Sequence, residues 1–122
     1  MSRPGWVRKI FATDSNLGED EPDLALVFLL GDIGIRFCER IDAIPRDNRR
    51  QILEIAEEVL ASGGEVDRAA IATGFFEEVL KAWDEGFDLE SIWEFVGPKC
   101  RAFCLEWNDI SGISSPDWMK AR

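Results

Sequence analysis

From residue 22 to residue 110, apolar side chains recur at intervals of three and four, the spacing that lines one face of an α-helix. The first long helix is expected over about Pro22 to Ala43, with Pro22 in its first turn and Asp23 beside the positive helix end. Its apolar residues (Leu24, Leu26 to Leu30, Ile33, Ile35, Phe37, Cys38, Ile41) leave only a polar stripe of Asp32, Arg36, Glu39 and Arg40, so it needs cover on most sides. Gly31 and Gly34 inside it point to close approach by a neighbouring helix or to a bend.

A second helix, about Pro45 to Ser62, turns Ile52, Ile55, Ala56, Val59 and Leu60 inward and ends at Gly63-Gly64. The third, about Glu65 to Glu85, carries an apolar arc of Ala69, Ala72, Phe75, Phe76, Val79, Leu80 and Trp83, closed by Gly86, with a Glu77 to Lys81 pair on its outer face. A short fourth helix is expected from an Asp88 N-cap, presenting Leu89, Ile92, Trp93 and Val96. Gly97-Pro98 then opens a fifth, to about Ile110, with Cys100, Phe103, Cys104 and Trp107 on one side.

No stretch alternates as a strand should, so the expected fold is all-α: a compact bundle of about five helices in a single domain, 1–122. Residues 1–21 are a basic lead and polar linker, 22–110 the helical core, and 111–122 a tail that Trp118 pins down. Trp83, Trp93, Cys100, Phe103, Cys104 and Trp107 are expected to be mostly buried, whereas Trp6 and Trp118, in the terminal segments, are left open between packing and partner contacts. Five Trp and eight Phe supply enough apolar volume for a core without metal or disulfide.

Composition narrows the chemistry. The chain has no histidine and no tyrosine, which removes the usual general base near neutral pH, the commonest metal ligand, and the Ser-His, Cys-His and Glu-x-x-His systems. Gly31-Asp32-Ile33-Gly34 follows no strand and is not a phosphate loop. Three cysteines (Cys38, Cys100, Cys104) are odd in number and share positions with core aromatics, so they read as reduced, packed thiols in a cytoplasmic protein rather than metal ligands. The longest apolar run, Leu24 to Leu30, falls far short of the ~20 residues needed to cross a bilayer. No enzyme activity, catalytic residue, cofactor or metal site is expected.

Charge changes the picture most. Between residues 54 and 94 stand twelve acids against two bases, Arg68 and Lys81, so the whole net charge of −10 lies in that stretch. Clustered like charge speeds encounter with opposite charge and repels nucleic-acid phosphate. Glu54, Glu57 and Glu58 on the second helix, with Glu77, Glu78 and Asp84 on the third, are the candidate partner-binding residues. The same acids offer oxygen ligands for a divalent ion, but they point away from the apolar arcs, where a bundle's metal site would sit. The basic cluster Arg36, Arg40, Arg46, Arg49 and Arg50 is expected to pair internally with Glu39, Asp42 and Asp47.

The segment Val96-Gly97-Pro98-Lys99-Cys100-Arg101-Ala102-Phe103-Cys104-Leu105-Glu106-Trp107-Asn108, followed by Ser111-Gly112, resembles the closing motif of a family of small uncharacterised bacterial helical domains. The resemblance covers about a fifth of the chain and implies a bacterial, all-α, stand-alone domain; it implies no activity. The leading expectation is a non-catalytic protein that presents an acidic helical surface to a basic protein partner, as an immunity protein or inhibitor of a cationic effector does, a DNA mimic being a variant. The alternative is a structural or regulatory homo-oligomer that uses the apolar first helix, whose Leu24, Phe28 and Ile35 lie outside its core arc.

Overall fold

The computed structural model describes residues 3–120, whose regular elements are all helical. The first two and last two residues of the expected lead and tail lie outside that range. The lead is itself a helix, α1 (Gly5–Thr13), which buries Val7 and Ile10; a 3-10 turn (Ser15–Leu17) follows and buries Leu17. α2 (Leu26–Glu39) starts four residues later than Pro22. The Arg3 guanidinium donates to the carbonyls of Glu21 and Leu24, at 2.6 and 2.5 Å, and Phe28 N–H goes to Ala25 O instead of to Leu24 O. The carbonyl that would have carried the earlier helix is thus occupied. Asp23 consequently caps nothing, and Ile41–Ala43 winds as a separate 3-10 turn.

α3 (Arg46–Ser62) matches its expected span, with Ile52, Leu53, Ala56 and Val59 buried. The third predicted helix runs as α4 (Glu65–Ala69), a π-helical stretch (Ala70–Phe76) and α5 (Glu77–Asp84), with helical backbone at both joints. The π turn bonds Glu77 N–H to Ala72 O and admits an extra residue. That shifts the register of the inner face: Ala70 and Ile71 are buried and Ala69 is exposed, while Phe75, Phe76, Val79 and Leu80 are inward as the spacing required. This widened turn is where α2 crosses. A Cβ on Gly74 would lie 2.5 Å from Val27 O, and one on Gly34 would lie 2.8 Å from Phe75 O, so two glycines permit backbone contact between the helices.

The fourth helix is shorter than expected, α6 (Glu90–Trp93), and Asp88 does not cap it. Residues 88–96 close instead through successive i→i+3 bonds, Ser91 to Asp88, Ile92 to Leu89, Phe95 to Ile92 and Val96 to Trp93, which wind too tightly for a sustained α-helix. Leu89, Ile92, Trp93 and Val96 are nevertheless all buried. α7 (Pro98–Ser111) ends on Gly112 at φ 72, and α8 (Asp117–Lys120) forms in the tail. One buried cluster joins side chains from every helix except α4, and within it Phe75 contacts both Phe37 and Phe76.

Of the six side chains expected to be mostly buried, Trp93, Cys100 and Cys104 are fully so, and Trp83, Phe103 and Trp107 are partly buried against the core. Trp118 holds the tail down: its ring meets Trp83 and Trp93 edge-on at 6.0 and 5.6 Å. Trp6 likewise packs on the core. Among the described residues no helix is long and apolar enough to cross a membrane.

Candidate binding surface

The six candidate acids have different surroundings. Glu57 is half-buried, and its carboxylate accepts from the backbone amides of Lys99 (2.9 Å) and Cys100 (3.0 Å). These are the second and third residues of α7. Pro98 before them has no N–H, and Arg101 N–H already reaches Gly97 O, so Glu57 satisfies the two otherwise unpaired donors of the first turn. A charged acceptor at a positive helix end is a strong form of that bond. Gly97 makes room for it, because a Cβ there would stand 2.4 Å from Glu57 Cγ.

Glu54 is exposed and bonded to Arg50 at 2.7 Å; Glu58, also exposed, shares a groove with Lys9, Thr13 and Gln51 between α1 and α3. Glu78 lies against Gly31 and Gly34 of α2 and pairs with Lys81 at 3.4 Å, the i,i+3 partner in place of the expected Glu77. Glu77 is half-buried. The acids of α3 thus face α1 and α7, whereas Glu78 faces α2.

Asp84 differs from the other five. It ends α5, and the chain then turns through Gly86, whose φ of +113 suits glycine, while Phe87 N–H bonds back to Ala82 O at 2.9 Å. Asp84 and Glu85 before the turn, and Asp88 and Glu90 after it, are all exposed, and none forms an ion pair among the described residues. Of these four, only Asp84 is among the partner-binding residues expected from the sequence. The other three were visible as acids, but only the turn gathers them.

Beside that turn lies a cavity of about 230 Å³, lined by Leu80, Trp83 and Asp84 of α5, Trp107 and Asn108 of α7, and Ile113 and Ser114 of the following loop. Asn108 is fully buried; its Nδ2 donates to Ser115 Oγ at 2.9 Å and contacts Met119 Sδ at 3.6 Å, which fastens the loop and α8 to α7.

Of the five arginines expected to pair internally, Arg40, Arg46 and Arg50 form ion pairs and Arg49 donates to the Ile44 carbonyl, while no ion pair among the described residues involves Arg36, Glu39 or Asp42. Arg50 bonds Asp47 and Glu54, Arg46 bonds Glu94 at 2.5 Å and lies over Phe95, and Arg40 stands 3.9 Å from Asp14. Arg101 lies 5.2 Å from the Trp93 ring centroid, its guanidinium held by the Val96 and Trp93 carbonyls.

Their surroundings keep all three thiols protonated at neutral pH. Burial, then the Glu39 and Glu78 charges, pushes the Cys38 thiol up to about 12; burial alone takes Cys104 to about 12. Burial and the adjacent Glu57 carboxylate raise Cys100 as well. Among the described residues no three His, Cys, Asp or Glu groups converge as metal ligands would. No protein-family model matches the chain, and no curated protein or solved structure matches it either.

Proposed function

We propose that the chain is a non-catalytic, cytoplasmic binding protein that meets a basic protein partner through acids at the end of α5, in the manner of an immunity protein or inhibitor of a cationic effector. The observation that carries this reading is the exposure of Asp84, Glu85, Asp88 and Glu90 without internal counter-charge. Some other acids are matched, Glu54 by Arg50, Glu94 by Arg46 and Asp20 by Arg3, and exposed acids such as Glu58, Glu65 and Glu106 are not; what sets these four apart is that they fall within seven consecutive residues. Uncompensated like charge costs the fold self-repulsion, and it accelerates association with a cation. Glu54, Glu58, Glu77 and Glu78 add to the long-range field; Glu57 serves α7. The resemblance of the Gly97-Pro98 segment to small bacterial helical domains adds the proposal of a stand-alone bacterial protein.

The test is affinity capture from host extract with the wild-type chain and with the quadruple variant Asp84→Asn, Glu85→Gln, Asp88→Asn, Glu90→Gln, at low and high salt. The reading requires a basic protein that wild type retains at low salt and that both the variant and high salt release. Identical retention by both chains at both salts overturns it.

A second reading, self-association through α2, draws on Phe28 and Ile35, which are 64% and 42% exposed and lie seven residues apart on one stripe. Sedimentation of wild type against Phe28→Asp decides it: a concentration-dependent dimer abolished by the substitution supports this reading, and a monomer at every concentration removes it.

A further inference from the structure

We infer that the cavity between α5 and α7 is a receptor for one organic cation, the guanidinium or alkylammonium head of an Arg or Lys side chain. Its walls are chemically matched to such a group. Trp83 and Trp107 line it from α5 and α7, Leu80 adds apolar surface suited to a methylene stem, and the exposed Asp84 adds a carboxylate. A cation over an indole face is favoured by the ring quadrupole, and the preference grows as water is excluded. Both helices also end here, α5 at Asp84 and α7 at Ser111, so two negative helix termini flank the cavity.

The chain's own use of arginine supports the assignment. Arg101 covers Trp93 and Arg46 covers Phe95, whereas Trp83 and Trp107 have no covering cation among the described residues. The groove between α1 and α3 contrasts with this cavity: it too has acids, but Lys9 lines it and Arg50 holds Glu54. Lys120 lines a neighbouring cavity with Asn108, Ile113 and Ser114, and is not part of the tryptophan-walled one.

The choice of a polypeptide side chain rests on the proposed basic partner, since Asp84, one of the four acids of that surface, lines the cavity. The choice of a cation rests on the cavity alone. A partner would be steered by the acids and would lodge a single Arg or Lys between the two indoles.

The test is titration of the intact protein with N-acetyl-arginine methylamide and N-acetyl-lysine methylamide, followed by the indole N–H resonances in proton–nitrogen correlation spectra. N-acetyl-norleucine methylamide is the neutral control. Saturable millimolar shifts confined to the Trp83 and Trp107 indoles are expected for one or both cations and not for norleucine. Asp84→Asn, an exposed change that leaves packing intact, is expected to weaken the response about fivefold, the scale of one exposed charge interaction. Trp107→Leu should abolish it. Absence of a saturable shift at Trp83 and Trp107, an equal response to norleucine, or unchanged binding by Asp84→Asn overturns the site. Such a failure leaves the salt-dependent capture of a basic partner as a separate result, and loss of that capture with intact cation binding rejects only the partner.

Discussion

Glu57 spends its charge inside the molecule. Two amides of α7 converge on its carboxylate, and Gly97 opens the space through which it reaches them. Replacing it by Ala leaves those donors unpaired and is expected to lower stability by about 1–2 kcal/mol, the usual cost of a lost helix cap, read as a reduced urea midpoint. Gly97→Ala should cost a similar amount by displacing the carboxylate, and the double variant should lose less than the two single losses combined, because both remove one interaction. Nothing in the sequence separates Glu57 from Glu54 or Glu58, since spacing places all three on the outward side of α3 and the cap depends on where α7 arrives. The thiols give a second expectation at this scale. Unfolded thiols ionise near the ordinary 9.0, while Cys38 and Cys104 are held to about 12 in the fold. The unfolded chain therefore releases protons that the folded chain keeps. Stability fully present below the unfolded value is lost as pH rises from there toward about 12. Urea midpoints should fall from about pH 8 to about pH 10, and a Cys38→Ala, Cys104→Ala variant should fall less over the same range.

At the scale of elements, the crossing of α2 over the π turn is the most constrained contact in the fold. Gly74→Ala would drive a methyl into Val27 O and the Leu30 side chain, and is expected to destabilise by about 1–3 kcal/mol, the typical cost of overpacking. Gly31→Ala, three residues away on the chain from Gly34, meets nothing closer than 3.8 Å and should be neutral or stabilising by up to about 1 kcal/mol. Thermal unfolding of the two variants separates them. The glycines in α2 were a legible sign of close approach, yet the π turn that receives them was not. An apolar run of Ala70, Ile71, Phe75 and Phe76 serves either winding, and the choice is made by the partner helix. The same limit applies to α6, whose buried positions follow from their spacing but whose tight winding follows from the short path between Gly86 and Gly97. In the tail, Trp118→Ala should cost about 2–4 kcal/mol, somewhat below a fully buried Trp, and shift tryptophan emission to longer wavelength as Trp83 and Trp93 gain solvent.

Over the whole molecule, the 24 acids are put to different uses. Arginines pair with some, one carboxylate caps a helix, and the acids around Gly86 have no ion pair among the described residues, Asp84 of them lining a cavity with two tryptophans. The localisation of charge was readable from sequence because it is a matter of counting along the chain. Its concentration at one turn was not, because α3 and α5 turn their acids toward different neighbours. If the turn is the contact surface, neutralising it must slow association with the captured basic partner far more than neutralising α3 does, since steering depends on the field where the partner lands. The direct measurement is the association rate constant of that partner, at one ionic strength, with wild type, with the Asp84→Asn, Glu85→Gln, Asp88→Asn, Glu90→Gln variant, and with Glu54→Gln, Glu58→Gln. A drop of about tenfold or more for the first variant, with a change of less than about twofold for the second, is the predicted result; equal slowing by both, or slowing by the α3 variant alone, would contradict the account.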